Sequence, residues 1–159
     1  MLIPLLVSGV LLAMPVKDTV WWETPGGKVM EHRDANDVNC SLMLYDDAGS
    51  VTFDWDDPGR TLVTAINWSW QFPDAWNVPL AMRFGDAWLS NGGDSAVIDA
   101  VGHGNAVAFT TDQAVEDLLR PADQIAVRTR DGELSIHLRK DKLGVLLART
   151  EACRHAIGR

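Results

Sequence analysis

Residues 124–157, QIAVRTRDGELSIHLRKDKLGVLLARTEACRHAI, decide the fold of this chain. Apolar and polar side chains alternate on both sides of Asp131-Gly132, a dipeptide that favours a two-residue type I′ hairpin turn because that turn needs positive φ at both central residues. A turn there predicts the cross-strand pairs Arg130–Glu133, Thr129–Leu134, Val127–Ile136 and Ile125–Leu138. One face of the hairpin is then apolar, and the other carries Arg128, Ser135 and His137. The apolar face requires a second layer to cover it.

A helix is predicted directly after this hairpin, with Asp141 as its N-cap. Its apolar face consists of residues spaced three or four apart, namely Leu143, Leu146, Leu147, Thr150, Cys153 and Ile157. Cys153 therefore points towards the sheet that is expected to contain Cys40.

Strands separated by turn residues account for most of the remaining chain. Alternating or apolar runs at 16–23, 28–32, 40–45, 51–56, 62–70, 80–89, 96–101 and 106–110 are typical of an antiparallel sandwich or barrel. On the run 62–70, the core face is assigned to Leu62, Thr64, Ile66, Trp68 and Trp70.

A short helix is predicted between the last two groups of strands. Thr110 is expected to cap it, with Gln113 reaching back as in a capping box. The sequence thus predicts a mainly β protein, an antiparallel β-sandwich of about eight or nine strands with a short helix and a C-terminal helix. We expect residues 16–159 to form the single sandwich domain.

The net charge excludes one class of partner. The 159 residues include 14 Lys and Arg against 22 Asp and Glu, a formal charge of −8. An acidic field repels phosphate backbones, so nucleic acid is not an expected partner. Apolar residues make up 47% of the chain, which excludes a disordered protein.

The N-terminal residues indicate the compartment. Residues 1–14 contain no charged side chain. They are too few to span a bilayer, which takes about 20 apolar residues, and have the length of a signal-peptide core. We therefore expect a signal peptide over residues 1–13, no transmembrane segment in the mature chain, and a periplasmic or secreted protein. Leu11 is unusual near the cleavage site after Ala13, and the alternative is a buried first strand.

The two cysteines are expected to pair if the chain is exported. An even count in an exported chain favours one disulfide, between Cys40 and Cys153. Such a bridge stabilises the fold by about 4–5 kcal/mol in the chain-entropy model, because it closes a long loop. The alternative is two buried free thiols in a cytosolic protein.

No complete catalytic or metal-binding motif is found in the sequence. Residues 54–59 resemble the start of a calcium loop, but the twelfth position is Ala65 and not the required glutamate. Gly93-Asp94-Ser95 matches the start of one lipase and esterase block, with His103 downstream as a candidate base, but the Asp-x-x-His of that block is absent. The four histidines lack zinc-ligand spacing. We expect no catalytic residue, metal or cofactor, and a small hydrolase is an alternative.

Seven tryptophans are the unusual feature of the composition. Trp55, Trp68 and Trp70 are assigned to the core. Exposed indole rings on a rigid sheet can stack on sugars or act as hot spots for a protein partner. The candidates for ligand stacking are Trp76, in a loop with Pro and Asp, and Trp21 and Trp22. These rings support a second alternative, a carbohydrate-binding module.

Four features together resemble a known family. They are the apolar N-terminal segment, the strand CSLML at 40–44, the aromatic run NWSW at 67–70, and the closing segments LSIHL at 134–138 and GVLLA at 144–148 that lead to Cys153. They are similar to the small secreted or periplasmic β-sandwich proteins of the invasion-associated locus B kind in Gram-negative bacteria. The family pattern differs in carrying a Gly-Cys pair. The resemblance implies an envelope or surface protein linked to host interaction, without an established reaction, and it transfers no site residues.

The sequence therefore predicts a non-enzymatic exported binding or accessory protein of the bacterial envelope. Its expected partner is a protein or glycan of the cell envelope.

Overall fold

The computed structural model describes residues 17–34, 37–57, 59–72, 78–89, 96–98 and 104–158. The expected signal peptide, Trp76, and the pair Ser95 and His103 lie outside these residues. No helix within the described ranges is long and apolar enough to cross a membrane.

Eleven strands and two helices make up this part of the chain. In order they are β1 (Lys17–Thr24), β2 (Gly27–Arg33), β3 (Val38–Tyr45), β4 (Gly49–Asp57), β5 (Arg60–Asn67), β6 (Leu80–Phe84), β7 (Ala87–Trp88), β8 (Ala96–Ile98), β9 (Ala106–Thr111), α1 (Val115–Leu119), β10 (Gln124–Thr129), β11 (Gly132–His137) and α2 (Lys140–Ala156). They form a seven-stranded sheet of order β1-β2-β3-β4-β5-β9-β8 and a four-stranded sheet of order β11-β10-β6-β7. All pairs are antiparallel.

The predicted fold class, a mainly β antiparallel sandwich, is confirmed. The four-stranded sheet and α2 cover the same face of the seven-stranded sheet: Phe53 of β4 lies 6.1 Å from Phe84 of β6 between ring centroids, while α2 packs on β1, β2 and β3. The strand count exceeds the expected eight or nine, partly because the run 80–89 divides at Gly85, which has a φ of 57°.

The predicted register of the C-terminal hairpin is wrong by two residues. Val127 lies opposite Leu134, and Thr129 lies opposite Gly132. Arg130 and Asp131 therefore form the turn, and Gly132, with a φ of 123°, begins β11. The Thr129 hydroxyl closes the turn by accepting from the Asp131 amide at 3.2 Å. Because a shift of two residues preserves the faces of a strand, the apolar side of the hairpin is still buried as predicted.

The core face of β5 is also opposite to the prediction. Thr61, Val63, Ala65 and Asn67 are buried, and Leu62, Thr64 and Ile66 lie on the other, half-buried face. The strand ends at Asn67, so Trp68 belongs to a turn and is 58% exposed, whereas Trp70 is 1% exposed. Alternation alone did not identify the inward face, because both sets of β5 side chains include apolar residues.

The inward face of α2 is as predicted, but the N-termini of both helices differ from the prediction. α1 begins at Val115 after Ala114, and α2 begins at Lys140 after Arg139; neither has a side-chain cap. The hydroxyl of Thr111, and not that of Thr110, accepts from the Gln113 amide, at 3.2 Å. The inward face of α2 holds the predicted residues Leu143, Leu146, Leu147, Thr150 and Cys153.

A disulfide joins Cys40 to Cys153. Both cysteines are fully buried. At Gly27, which pairs with Leu44 and lies away from the bridge along the sheet, α2 also packs closely: an added Cβ there would lie 2.5 Å from a methyl carbon of Leu146. Glycine at this position therefore lets α2 approach the sheet.

Candidate ligand-binding site

Two of the tryptophans predicted to stack on a ligand lie on β1, the edge strand of the larger sheet. The Trp21 indole N–H donates to Glu31 Oε2 at 2.9 Å. The Trp22 ring is 38% exposed, and the Arg149 guanidinium lies 4.3 Å from its centroid. Each ring is thus held by a protein contact, and a ligand-stacking role for Trp21 and Trp22 stays a prediction.

Trp21 takes part in a small polar network. Glu31 also accepts hydrogen bonds from Arg33, at 2.8 Å to Nη2. The hydrogen bonds from Arg33 and then from Trp21 lower the pKa of the Glu31 carboxyl below its usual range. The network joins the two outermost strands, β1 and β2, and the indole N–H of Trp21 already has a hydrogen-bond partner.

The most exposed tryptophans in the described part of the chain are Trp68 and Trp88, at 58% and 57%. Trp88 lies on β7, which pairs with β6 after a turn at Gly85 and Asp86. Leu89 is buried and its amide donates to the Met82 carbonyl at 2.9 Å. Since side chains alternate along a strand, Trp88 points to the outward face of the four-stranded sheet.

We call the outward face of the four-stranded sheet the Trp88 face. Its members come from four strands: Ala81, Arg83, Trp88, Gln124, Ala126, Arg128, Glu133, Ser135 and His137. Registers place Trp88 opposite Arg83, Arg83 opposite Ala126, and Ala126 opposite Ser135. Residues distant in sequence thus form one row across the sheet.

The polar groups of the Trp88 face are largely fixed by hydrogen bonds. Arg83 Nη1 donates to the Gly85 carbonyl at 3.0 Å, and the Gln124 amide donates to the Ser135 hydroxyl. An ion pair of 2.8 Å joins Arg128 to Glu133. Ala126 is 2% exposed. The Trp88 face therefore combines small and hydrogen-bonding side chains with one aromatic ring at its edge.

Trp68 has a different setting. It lies in the turn after β5, where its amide donates to the Ala48 carbonyl at 3.1 Å. A turn residue is less rigidly oriented than one in a paired strand, so Trp88 is the better-supported ligand contact. Trp68 then serves as a matched comparison for it.

An Asp–His–Ser array resembles a hydrolase triad. On the outward face of the larger sheet, His32 Nδ1 lies 2.8 Å from Asp18 Oδ1, and His32 Nε2 lies 2.8 Å from Ser41 Oγ. Ser41 is fully buried, and its strand is paired on both sides, with β2 and β4. A nucleophile must be reachable, and an oxyanion needs free donors beside it. The array therefore acts as a structural network between three strands.

A cleft of about 250 Å³ separates α1 from α2. Arg154 bridges it through a 2.8 Å ion pair to Glu116, and its guanidinium lies 5.5 Å from the Trp55 ring centroid. The Glu116–Arg154 ion pair thus links the two helices across the cleft. Within the described ranges, no three His, Cys, Asp or Glu side chains are arranged to hold a metal ion.

Sequence reasoning did not select Trp88 and misplaced Trp68. The signal for Trp88 was present, because Gly85-Asp86 is a turn and alternation then separates Leu89 from Trp88. The partners of Trp88 depend on the pairing of β6 with β10, which joins residues more than 40 positions apart. No short sequence pattern indicates that pairing.

Comparisons with protein-family models, with curated proteins and with solved structures gave no match to this chain.

Proposed function

We propose that this chain is an exported, non-enzymatic binding or accessory protein of the bacterial envelope, and that it binds through the Trp88 face. The observation that carries the proposal is the position of Trp88. An indole ring with 57% of its surface exposed stands on a hydrogen-bonded strand, beside ordered polar groups. Burying such a ring against a partner is favourable, and the rigid sheet lowers the entropy lost on binding.

The buried Cys40–Cys153 bridge supports the exported part of the proposal. Structural disulfides persist in oxidising compartments such as the periplasm and the extracellular space. The signal peptide over residues 1–13 and the family resemblance are further expectations that agree with export.

Envelope association tests this function. The oxidised mature protein is incubated with an envelope fraction of its native host and sedimented, in parallel with Trp88→Ala and Trp68→Ala. We expect the wild type and Trp68→Ala to sediment with the envelopes and Trp88→Ala to stay in solution. Equal behaviour of the two variants, or no sedimentation of the wild type, contradicts the proposal. Turnover of a substrate that depends on Ser95 or His103 also contradicts it.

A further inference from the structure

The Trp88 face has the chemistry of a sugar-binding surface. Resting on the function proposed above, we infer that its ligand is a neutral glycan. One pyranose ring stacks on Trp88, and hydroxyl groups of the glycan hydrogen-bond to Arg83 and to the Gln124–Ser135 pair.

Stacking suits the ring at position 88. The C–H face of a pyranose is flat and apolar, and it matches the exposed face of an indole. β7 is held to β6 by the Leu89–Met82 hydrogen bond of 2.9 Å, so the backbone that carries the ring is already ordered before a sugar binds.

Arg83 supplies hydrogen-bond donors next to that ring. It lies directly opposite Trp88 in the β6–β7 register, and side chains at opposed positions are close neighbours. One donor of the guanidinium binds the Gly85 carbonyl, and an arginine has five N–H donors in all. No ion pair joins Arg83 to a carboxylate among the residues that the structure describes. Our inference assigns its remaining donors to sugar hydroxyls.

The charge of the Trp88 face favours a neutral ligand. The second arginine, Arg128, is compensated by Glu133 at 2.8 Å. Arg83 has no carboxylate partner among the described residues, and one such guanidinium in a protein of net charge −8 is too little to attract a polyanion, which the remaining field repels. A neutral oligosaccharide encounters no such repulsion.

The surroundings of Trp88 favour a glycan over a protein. Among the residues that the structure describes, the large exposed apolar side chains are Val20, Trp22, Trp68, Trp88 and Val145, and of these only Trp88 belongs to the four-stranded sheet. A protein interface has an apolar centre of several residues, which this face lacks. Neighbouring strands lie about 4.8 Å apart, so the Trp88 face is about 14 Å wide across its four strands. This width is enough for more than one sugar ring.

A fluorine NMR titration tests the inference on the oxidised mature protein labelled with 5-fluorotryptophan. The probes are cellohexaose, chitohexaose and mannohexaose, with heparin as the polyanion, and a Trp88→Phe sample assigns the Trp88 signal. We expect a neutral oligosaccharide to shift the Trp88 signal. Trp88→Ala should weaken binding at least about tenfold and Arg83→Ala about threefold. Trp68→Ala, the matched control, should bind as the wild type does.

Several outcomes overturn the glycan assignment. They are no shift with any neutral probe at millimolar concentration, binding of heparin alone, shifts confined to other tryptophans, and equal affinities of Trp88→Ala and Trp68→Ala. If envelope association still depends on Trp88 while neutral glycans fail, the proposed function stands and the ligand is a protein or an anionic component. If envelope association also fails, both proposals fail.

Discussion

Cys40 on β3 and Cys153 on α2 are joined across 113 positions of sequence, with their Cα atoms 6.1 Å apart. The bridge fixes the C-terminal helix over β1, β2 and β3, beside the four-stranded sheet. It therefore connects the last element of the chain to the middle of the larger sheet.

Loss of the bridge is expected to destabilise the fold strongly. Cys40→Ala/Cys153→Ala should lower the free energy of unfolding by about 4–5 kcal/mol, because the bridge restricts the unfolded chain over a long loop. Urea unfolding followed by tryptophan fluorescence measures this change, and reduction of the wild type serves as a second route to the same state. A loss under roughly 1 kcal/mol would contradict the assignment of the bridge as a structural element.

The different burial of two tryptophans beyond the end of β5 predicts a large loss of stability for one variant and almost none for the other. Trp70→Ala removes a ring that is 1% exposed and should cost about 3–5 kcal/mol of unfolding free energy. Trp68→Ala removes a ring that is 58% exposed and should change the stability by less than about 0.5 kcal/mol. Thermal unfolding of both variants makes the comparison, and similar losses in the two would argue that Trp68 packs in the core.

Two glycines are expected to respond in opposite directions to alanine. An added Cβ at Gly144 in α2 meets nothing within 4 Å, so Gly144→Ala should stabilise the protein by about 0.5–1 kcal/mol through its helix propensity. An added Cβ at Gly49 overlaps the backbone carbonyl of Ile66, so Gly49→Ala should destabilise it by about 1–3 kcal/mol. The denaturant midpoints of the two variants, compared with that of the wild type, measure these changes in stability. A destabilised Gly144→Ala would indicate a contact on the outer face of α2.

Acid sensitivity is expected to depend on Glu31. Hydrogen bonds from Arg33 and then Trp21 keep the pKa of Glu31 in the folded state below its usual range. The carboxylate therefore stabilises the fold above its unfolded-state pKa, and this contribution is lost as the pH falls through the folded-state pKa. Glu31→Gln should be less stable than the wild type near pH 7, and the difference should shrink below the usual glutamate pKa of about 4.3.

Unfolding free energies measured from pH 7 into the acid range provide the check for Glu31. Glu151→Gln, which makes the same charge change on the exposed face of α2, is the matched control. A difference between Glu31→Gln and the wild type that stays constant with pH would exclude a stabilising role for the ionised carboxyl.

The buried position of Ser41 predicts an inert hydroxyl. A fluorophosphonate probe, which labels activated serines, should leave Ser41 unmodified in the folded protein, because the residue is fully buried despite its 2.8 Å contact with His32. Peptide mass spectrometry after labelling measures whether Ser41 is modified. Adduct formation at Ser41 that His32→Ala abolishes would show that the array is catalytic.

Local patterns predicted much of this fold from the sequence. Alternation at 40–45 and 51–56 located β3 and β4, and the spacing of apolar residues in 143–153 identified the inward face of α2, on which Cys153 lies. These signals are strong because one side of each element is apolar and the other is polar. The disulfide was predicted from the even cysteine count in an exported chain, and the inward position of Cys153 agrees with it.

The errors arise where local patterns do not determine the structure. The hairpin turns at Arg130 and Asp131 and not at the favoured Asp131-Gly132 pair, and the Thr129 hydroxyl stabilises this turn. On β5 both faces carry apolar residues, so alternation did not determine which face is buried. The Trp88 face depends on pairing between β6, β7, β10 and β11. Such long-range register is a property of the assembled sheet and is not visible in any short segment.

The proposal that this chain is exported is tested most directly by its intact mass in the native host, recorded with and without reductant before alkylation. We predict that the mass lacks about the first 13 residues, with no alkylation until reduction and two alkyl groups afterwards, at Cys40 and Cys153. A full-length chain with two freely alkylated thiols would contradict export and the bridge together, and it would place the protein in a reducing compartment.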